Sequence, residues 1–91
     1  SGLSMRDAGI HHGDLLIVDK SINPRPGSIV VAVLDGSFTL KKITFKNGFL
    51  YLEAENPDYQ PIKISHCQNL QIWGVATYSI HNLKLDAKGY K

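Results

Sequence analysis

The apolar residues of this chain form short runs, and residues typical of turns lie between these runs. Each run is rich in β-branched and aromatic side chains, which is typical of strands. The pattern predicts strands over residues 14–19, 28–34, 38–45, 49–53, 62–64 and 70–80. No stretch shows the sustained spacing of apolar residues at every third or fourth position that an amphipathic helix requires. We therefore expect a chain made of strands and turns.

Turn residues indicate how these strands connect. Asp35-Gly36 and Asn47-Gly48 are the dipeptides favoured in two-residue hairpins, so the strands that they join should pair antiparallel. Residues 28–34 are apolar on both faces, which indicates a central strand. Residues 14–19 also read as a buried strand, whereas 62–64 should lie at an edge. Gly74 within the last strand indicates a bulge.

The expected fold is all-β, a compact bulged sheet or partly closed barrel formed by a single domain over residues 1–91. A chain of 91 residues is too short for two independent cores. Its hydrophobic fraction of 43% and charged fraction of 20% are those of an ordinary globular protein. Disorder is not expected over most of the chain.

The charge pattern argues against strong direct binding to nucleic acid. The net charge is +2, and acidic residues lie between the basic ones along the chain. Such a pattern lacks the basic cluster typical of proteins that bind the phosphate backbone. Lys84, Lys88 and Lys91 form the nearest approach to one and are read as a solvated tail.

Cys67 is the only cysteine, so the chain has no internal disulfide and a cytoplasmic setting is expected. No apolar run reaches the roughly twenty residues that span a bilayer, and no signal peptide is recognisable. No membrane association is therefore expected. His66-Cys67 lacks the paired spacing of a zinc site, and His81 is distant, so neither metal nor cofactor is expected. Cys67 itself reads as a small buried residue.

The candidate chemistry lies in a serine near the start of the chain and a pair of lysines. Ser4 sits in a bend that follows Gly2, where a serine is usually only a turn residue. Lys41 and Lys42 lie within a predicted strand, and a lysine that faces inward could act as a neutral base. A free lysine has a pKa near 10.4, so about one in 2,500 is neutral at pH 7, and burial lowers that pKa.

A depression of about three units would reduce stability by about 4 kcal/mol, which a small domain can tolerate for one lysine but hardly for two. We therefore expect one lysine of the pair to be buried and the other exposed. Alternation along the strand does not choose between them. Lys41 shares a face with Thr39 and Ile43, whereas Lys42 shares the other with Leu40 and Thr44.

Two other sets of residues offer weaker alternatives. His11 and His12 could supply a catalytic base, but adjacent histidines in a glycine-flanked turn are more often exposed and inert. Asp14, Asp19 and Asp35 could suggest paired carboxylates, but all three lie beside turns or strand ends. Aspartate is common there because it bonds the local backbone.

Several motifs in order resemble the LexA/UmuD family of self-cleaving proteins, peptidase family S24. They are the Gly2-Leu3-Ser4-Met5 turn, the Gly13-Asp14-Leu15-Leu16-Ile17-Val18 strand, the Phe38-Thr39-Leu40-Lys41-Lys42 strand, the segment 52–62 and Trp73-Gly74-Val75-Ala76. The resemblance implies the LexA/signal-peptidase-like fold. It also implies that Ser4 is the nucleophile, that Lys41 is the general base, and that the backbone amides of Ser4 and Met5 stabilise the oxyanion.

Within this family the sequence of these motifs looks most similar to that of the UmuD/MucA type of SOS mutagenesis protein. The resemblance then implies self-cleavage of an N-terminal arm, promoted by a RecA filament on single-stranded DNA. The processed homodimer would assist a Y-family, UmuC-like polymerase subunit in translesion synthesis. The arm with the cleavage bond is expected to be absent, because only three residues precede Ser4.

Two alternatives stay open. The first is the C-terminal self-cleavage and dimerisation domain of a LexA-like or phage-type transcriptional repressor, whose DNA-binding domain would precede Ser1. The second is a binding module that kept the fold and lost catalysis. Leu3 favours this module, because an acidic or polar residue is commoner before the serine in the family that the chain resembles.

Overall fold

The structure is a computed structural model that describes residues 9–54 and 58–84. Its strands are β1 (Leu15–Asp19), β2 (Ile29–Leu34), β3 (Ser37–Lys46), β4 (Phe49–Glu53), β5 (Ile62–Lys63) and β6 (Leu70–Ile80). A short 3-10 helix, Ile64–His66, follows β5. Every strand expected from the sequence is present, with bounds that differ by at most one residue. The all-β prediction is confirmed.

All the strands form one antiparallel sheet in the order β1-β6-β2-β3-β4-β5. In the described part of the chain β1 and β5 are the two edges and do not pair with each other, so the sheet is open. The central position of β2, between β6 and β3, agrees with its apolar sequence on both faces. β5 lies at an edge, as expected.

Both hairpin turns adopt the backbone conformation that their sequences demand. Asp35 and Gly36 have φ of 50° and 83°, and Asn47 and Gly48 have φ of 52° and 84°. Positive φ at both central residues is the signature of the type I′ turn, which matches the twist of paired strands. These turns fix the register of β2, β3 and β4.

A bulge interrupts the pairing of β6 with β2. Val31 lies opposite Gly74 while Ala32 lies opposite Ile72, so Trp73 is the extra residue. Gly74 is required here for reasons of space, because a Cβ atom on it would lie 2.5 Å from Cγ1 of Val18. The predicted bulge at Gly74 is confirmed.

The hydrophobic core occupies one face of the sheet, which we call the core face. Its buried members come from β2, β3, β4 and β6, and β5, the 3-10 helix and β6 supply half-buried residues around them. The buried set is Val30, Ala32, Ile43, Leu52 and Val75, and Ile62, Ile64, Leu70 and Ile72 pack against it. The other side of the sheet is called the open face below.

The prediction that residues 14–19 form a buried strand is wrong. β1 is an edge strand, and Leu15 and Ile17 are 68% and 48% exposed. Their cross-strand partners on β6 are Ile80 and Tyr78, which are also exposed. An apolar run predicts a strand, but it does not reveal which neighbours cover that strand.

Among the described residues no helix is long and apolar enough to cross a membrane.

Candidate active site

The register of β3 places Lys41 on the core face. Lys41 lies directly opposite Val30 of β2, which is fully buried. Ile43, two residues further along the same face of β3, is also buried. Lys41 itself is half-buried, so its aliphatic stem follows the apolar face and its ammonium lies near the rim of the core.

Lys42 points to the open face. Its cross-strand neighbours are Ile29 on β2 and Glu53 on β4. Like Lys41 it is half-buried, so the expectation of one buried and one exposed lysine is wrong. The reason is that β3 has a neighbouring strand on each side, and both stems are partly covered while the charged ends reach the surface. The two lysines therefore differ in the face of the sheet on which they lie, and not in how deeply they are buried.

Tyr59 is the aromatic neighbour of Lys41 that sequence reasoning missed. Lys41 Nζ lies 5.6 Å from the centroid of the Tyr59 ring, within the range of a cation–π contact. Tyr59 lies in the segment between β4 and β5. Nothing in the local pattern around Tyr59 indicated a contact with β3, because this contact depends on how the chain returns over the sheet.

The segment that enters β2 is bonded to β3 close to Lys41. The Gly27 amide donates to the carbonyl of Ile43 over 2.7 Å, and the Ile43 amide donates to the carbonyl of Ser28 over 2.9 Å. Gly27 has a φ of 96°, a conformation that favours glycine. These bonds fix the backbone of β3 two residues beyond Lys41.

The described segment that leads into β1 is anchored on the open face, beside β2 and β6. Ser4 and Met5 lie outside the described residues, so the structure gives no geometry for them. Ile10 is buried and lines a cleft of about 160 Å³ together with Leu16 and Ile29. The wall of this cleft is completed by residues 76–79 of β6.

The turn before β1 is held by Asp14. Its carboxylate accepts bonds from the His11 amide at 2.9 Å and the Ser79 hydroxyl at 2.8 Å, and it lies 2.5 Å from His81 Nδ1. The backbone amide of His11, followed by the imidazole of His81, lowers the pKa of Asp14 to about 2. The rings of His11 and His81 pack with centroids 4.7 Å apart. Asp14 thus joins the start of β1 to the end of β6.

Other expectations for polar residues have mixed outcomes. Asp19 bonds the amide and hydroxyl of Ser21, which confirms its local role. His11 and His12 are exposed, as expected. The prediction that Cys67 is buried is wrong, because Cys67 is half-buried and lines a second cleft. Its thiol donates to the Lys63 carbonyl over 3.6 Å. The described residues contain no cluster of three side chains that could hold a metal ion.

Comparison with known proteins shows to which family this chain is related. Residues 1–77 match the family Peptidase S24-like. The LexA repressor of Shewanella frigidimarina is 46% identical over 82 residues, which is 89% of this chain and 40% of that protein. The LexA repressor of Bordetella parapertussis is 44% identical over 75 residues, which is 82% of this chain and 35% of that protein.

The protein SamA of Salmonella typhimurium is 41% identical over 83 residues, which is 91% of this chain and 56% of SamA. The chain therefore spans between about a third and somewhat more than half of these relatives. Because the family match covers most of its length, the chain belongs to the peptidase S24-like family, that of LexA and UmuD.

Proposed function

We propose that this chain is a Ser-Lys serine endopeptidase domain of the self-cleaving type, with Ser4 as nucleophile and Lys41 as general base. The observation that carries the proposal is the place of Lys41 on the core face, opposite Val30. The family match, which includes both Ser4 and Lys41, supports the same chemistry. Lys42 points to the open face and cannot serve a serine on the side where Lys41 lies.

In the proposed reaction the neutral amine of Lys41 removes the proton of the Ser4 hydroxyl as Oγ attacks the scissile carbonyl carbon. The resulting oxyanion accepts hydrogen bonds from the backbone amides of Ser4 and Met5. The C–N bond then breaks, and the Lys41 ammonium returns a proton to the leaving amine. Lys41, neutral again, activates the water that hydrolyses the ester on Ser4.

The position of Ile10 sets a condition on this pairing. Its cleft partner Ile29 lies opposite Lys42 and not opposite Lys41, so Ile10 is anchored on the open face. Five residues lie between Ser4 and Ile10, and six extended steps of the chain span about 20 Å. The proposed pairing therefore requires that this length of chain carry Ser4 to the core face.

The finer proposal is that the protein is of the UmuD type. The similarity to SamA, of which the chain covers 56%, supports this assignment. A RecA filament on single-stranded DNA would then promote cleavage. The processed homodimer would bind a Y-family, UmuC-like polymerase subunit.

The second candidate is the C-terminal domain of a LexA-type repressor. The identity of 46% to the Shewanella frigidimarina LexA repressor favours it. The discriminating observation is the sequence upstream of Ser1 in the full-length protein. A helix-turn-helix domain there would indicate a repressor, and a short arm would indicate a mutagenesis subunit.

We place the proposed homodimer contact at β1. The outer edge of β1 is unpaired in the described sheet, and an unpaired edge offers backbone donors and acceptors to a second chain. The neighbouring apolar side chains, those of Leu15, Ile17, Tyr78 and Ile80, are exposed. An exposed apolar stripe beside a free edge is typical of an association surface.

Cleavage in trans tests the proposed chemistry. The domain is mixed at alkaline pH with a full-length partner that lacks the nucleophile, beside Ser4→Ala and Lys41→Ala controls. Loss of a short N-terminal piece only with the unsubstituted domain is the expected result. A folded domain that leaves the partner intact would contradict retained protease activity and favour the alternative of a binding module.

A further inference from the structure

The fold brings positive charge together on the open face, although the sequence spreads it out. Lys42 and Lys46 point to this face from β3, and Lys63 does so from β5. Lys20, in the turn after β1, adds its ammonium next to Trp73. Among the described strand residues Glu53 is the acidic one on this face, and it pairs with Lys46 at 2.8 Å. Positive charge therefore exceeds negative charge there.

Exposed aromatic rings lie between these lysines. Phe38 is 67% exposed, and its ring meets Trp73 edge-on with centroids 6.0 Å apart. Trp73 keeps 37% of its surface exposed, and Lys20 Nζ lies 4.6 Å from its ring centroid. Phe49, further along the sheet, is also exposed and has Lys63 Nζ 3.5 Å from its ring centroid. The face thus carries two pairs of an aromatic ring and an ammonium group.

Gly74 is what allows Lys20 to reach Trp73. A Cβ atom on Gly74 would lie 3.4 Å from Cγ of Lys20, so the lysine stem crosses the sheet where a side chain is missing. The bulge at Trp73 turns the indole to the same side as Phe38. The pairing of ring and ammonium at this end therefore depends on the backbone, not on a chance rotamer.

We propose that the open face, through Trp73, Phe38 and Lys20, binds single-stranded nucleic acid. Unpaired bases stack on exposed aromatic rings whatever their sequence, and ammonium groups beside the rings neutralise phosphates. The proposal is independent of proteolysis. It also fits the low net charge of the chain, because a few lysines support weak and salt-sensitive binding rather than tight binding. An acidic peptide would use the lysines but would leave the three exposed rings without stacked partners.

Trp73 is the only tryptophan, so its fluorescence reports directly on this face. We would titrate the 91-residue chain at low salt with oligothymidylate and, in a separate arm, with oligouridylate. Saturable quenching is expected, and the difference between the arms tells whether DNA or RNA is preferred. Phe38→Ala should weaken binding roughly tenfold by removing one stacking ring. Lys20→Gln should reduce the logarithmic salt slope by about 0.7, the value for one phosphate on a single strand.

Matched controls separate this face from unspecific attraction. Phe45→Ala removes an exposed phenylalanine on the core face, and Lys84→Gln removes a lysine outside the sheet, so both should bind like the unsubstituted chain. Circular dichroism verifies that each variant is folded. Ser4→Ala should bind normally, which keeps the result separate from that of the cleavage assay.

Three outcomes would overturn the proposal. The first is the absence of quenching at low salt. The second is equal displacement of the oligonucleotide by polyglutamate of the same charge, which would mean that the face recognises charge and not bases. The third is binding seen with a labelled oligonucleotide that changes neither with Phe38→Ala nor with Lys20→Gln.

Discussion

Lys41 and Val30 face each other across the β2–β3 ladder, and Val30 is fully buried. This relationship distinguishes Lys41 from Lys42, which points to the other side. We expect Lys41→Met to reduce cleavage in trans by at least about 100-fold, as removal of a general base does. Lys42→Met should retain most of the activity. Methionine keeps an unbranched chain of similar length, so neither variant should unfold.

Cleavage of the full-length partner, followed by gel electrophoresis over time, measures this difference. Urea unfolding of both variants serves as the control for stability. If Lys42→Met proves to be the inactive variant, the assignment of Lys41 as the base is wrong.

Tyr59 provides a second test, because its ring lies beside Lys41 Nζ. A ring stabilises a nearby ammonium by about 0.5 to 1 kcal/mol at exposed sites. Tyr59→Leu keeps apolar cover but removes this attraction. We expect the free energy of unfolding to fall by about 0.5 to 1 kcal/mol. Urea unfolding is the measurement.

Tyr59→Phe is the matched control for that experiment, because it retains the ring. Its free energy of unfolding should match that of the unsubstituted chain. An equal loss in Tyr59→Phe would show instead that the hydroxyl group is responsible.

The sequence predicts local features of this fold well. Asp35-Gly36 and Asn47-Gly48 adopt positive φ. Because Asp, Asn and Gly tolerate positive φ better than most residues, these turns could be predicted directly from the sequence. The exposure of β1 could not, since it depends on strand order across the sheet. Likewise, Lys41 and Lys42 each share a face with one apolar and one hydroxyl residue. Only the register with Val30 reveals which of the two faces holds the core.

Gly74 offers a test of the packing between β1 and β6. In Gly74→Ala the new methyl group would lie 2.5 Å from Cγ1 of Val18, a β-branched side chain with little freedom to move. We expect destabilisation of about 1 to 3 kcal/mol, as in other overpacked cores. Urea unfolding measures it. The double variant Gly74→Ala with Val18→Ala should recover part of the loss, and strictly additive effects would argue against the contact.

Asp14 should make stability depend on acid pH. Its pKa is about 2 in the folded chain against an ordinary value of 3.8, so the unfolded chain takes up the proton first as the pH falls. The stabilisation is therefore complete above pH 3.8 and is lost between pH 3.8 and 2. Asp14→Asn should flatten the free energy of unfolding across this window, measured by urea titration at each pH.

The donors to Asp14 supply a graded control. Ser79→Ala removes one hydrogen bond but leaves those of the His11 amide and the His81 ring, so it should weaken the pH dependence without abolishing it. A Ser79→Ala variant as flat as Asp14→Asn would contradict the ranking of the His11 amide as the main cause.

The last prediction concerns the proposed dimer contact along β1. Ile17→Lys places a charge in the exposed apolar stripe beside the free edge, where association would have to desolvate it. We expect the dissociation constant of the dimer to rise by more than about tenfold. Sedimentation equilibrium measures this constant. Phe45→Lys, an equally drastic change at an exposed residue on the core face, should leave it unchanged. Equal weakening by both variants would mean that the contact lies elsewhere.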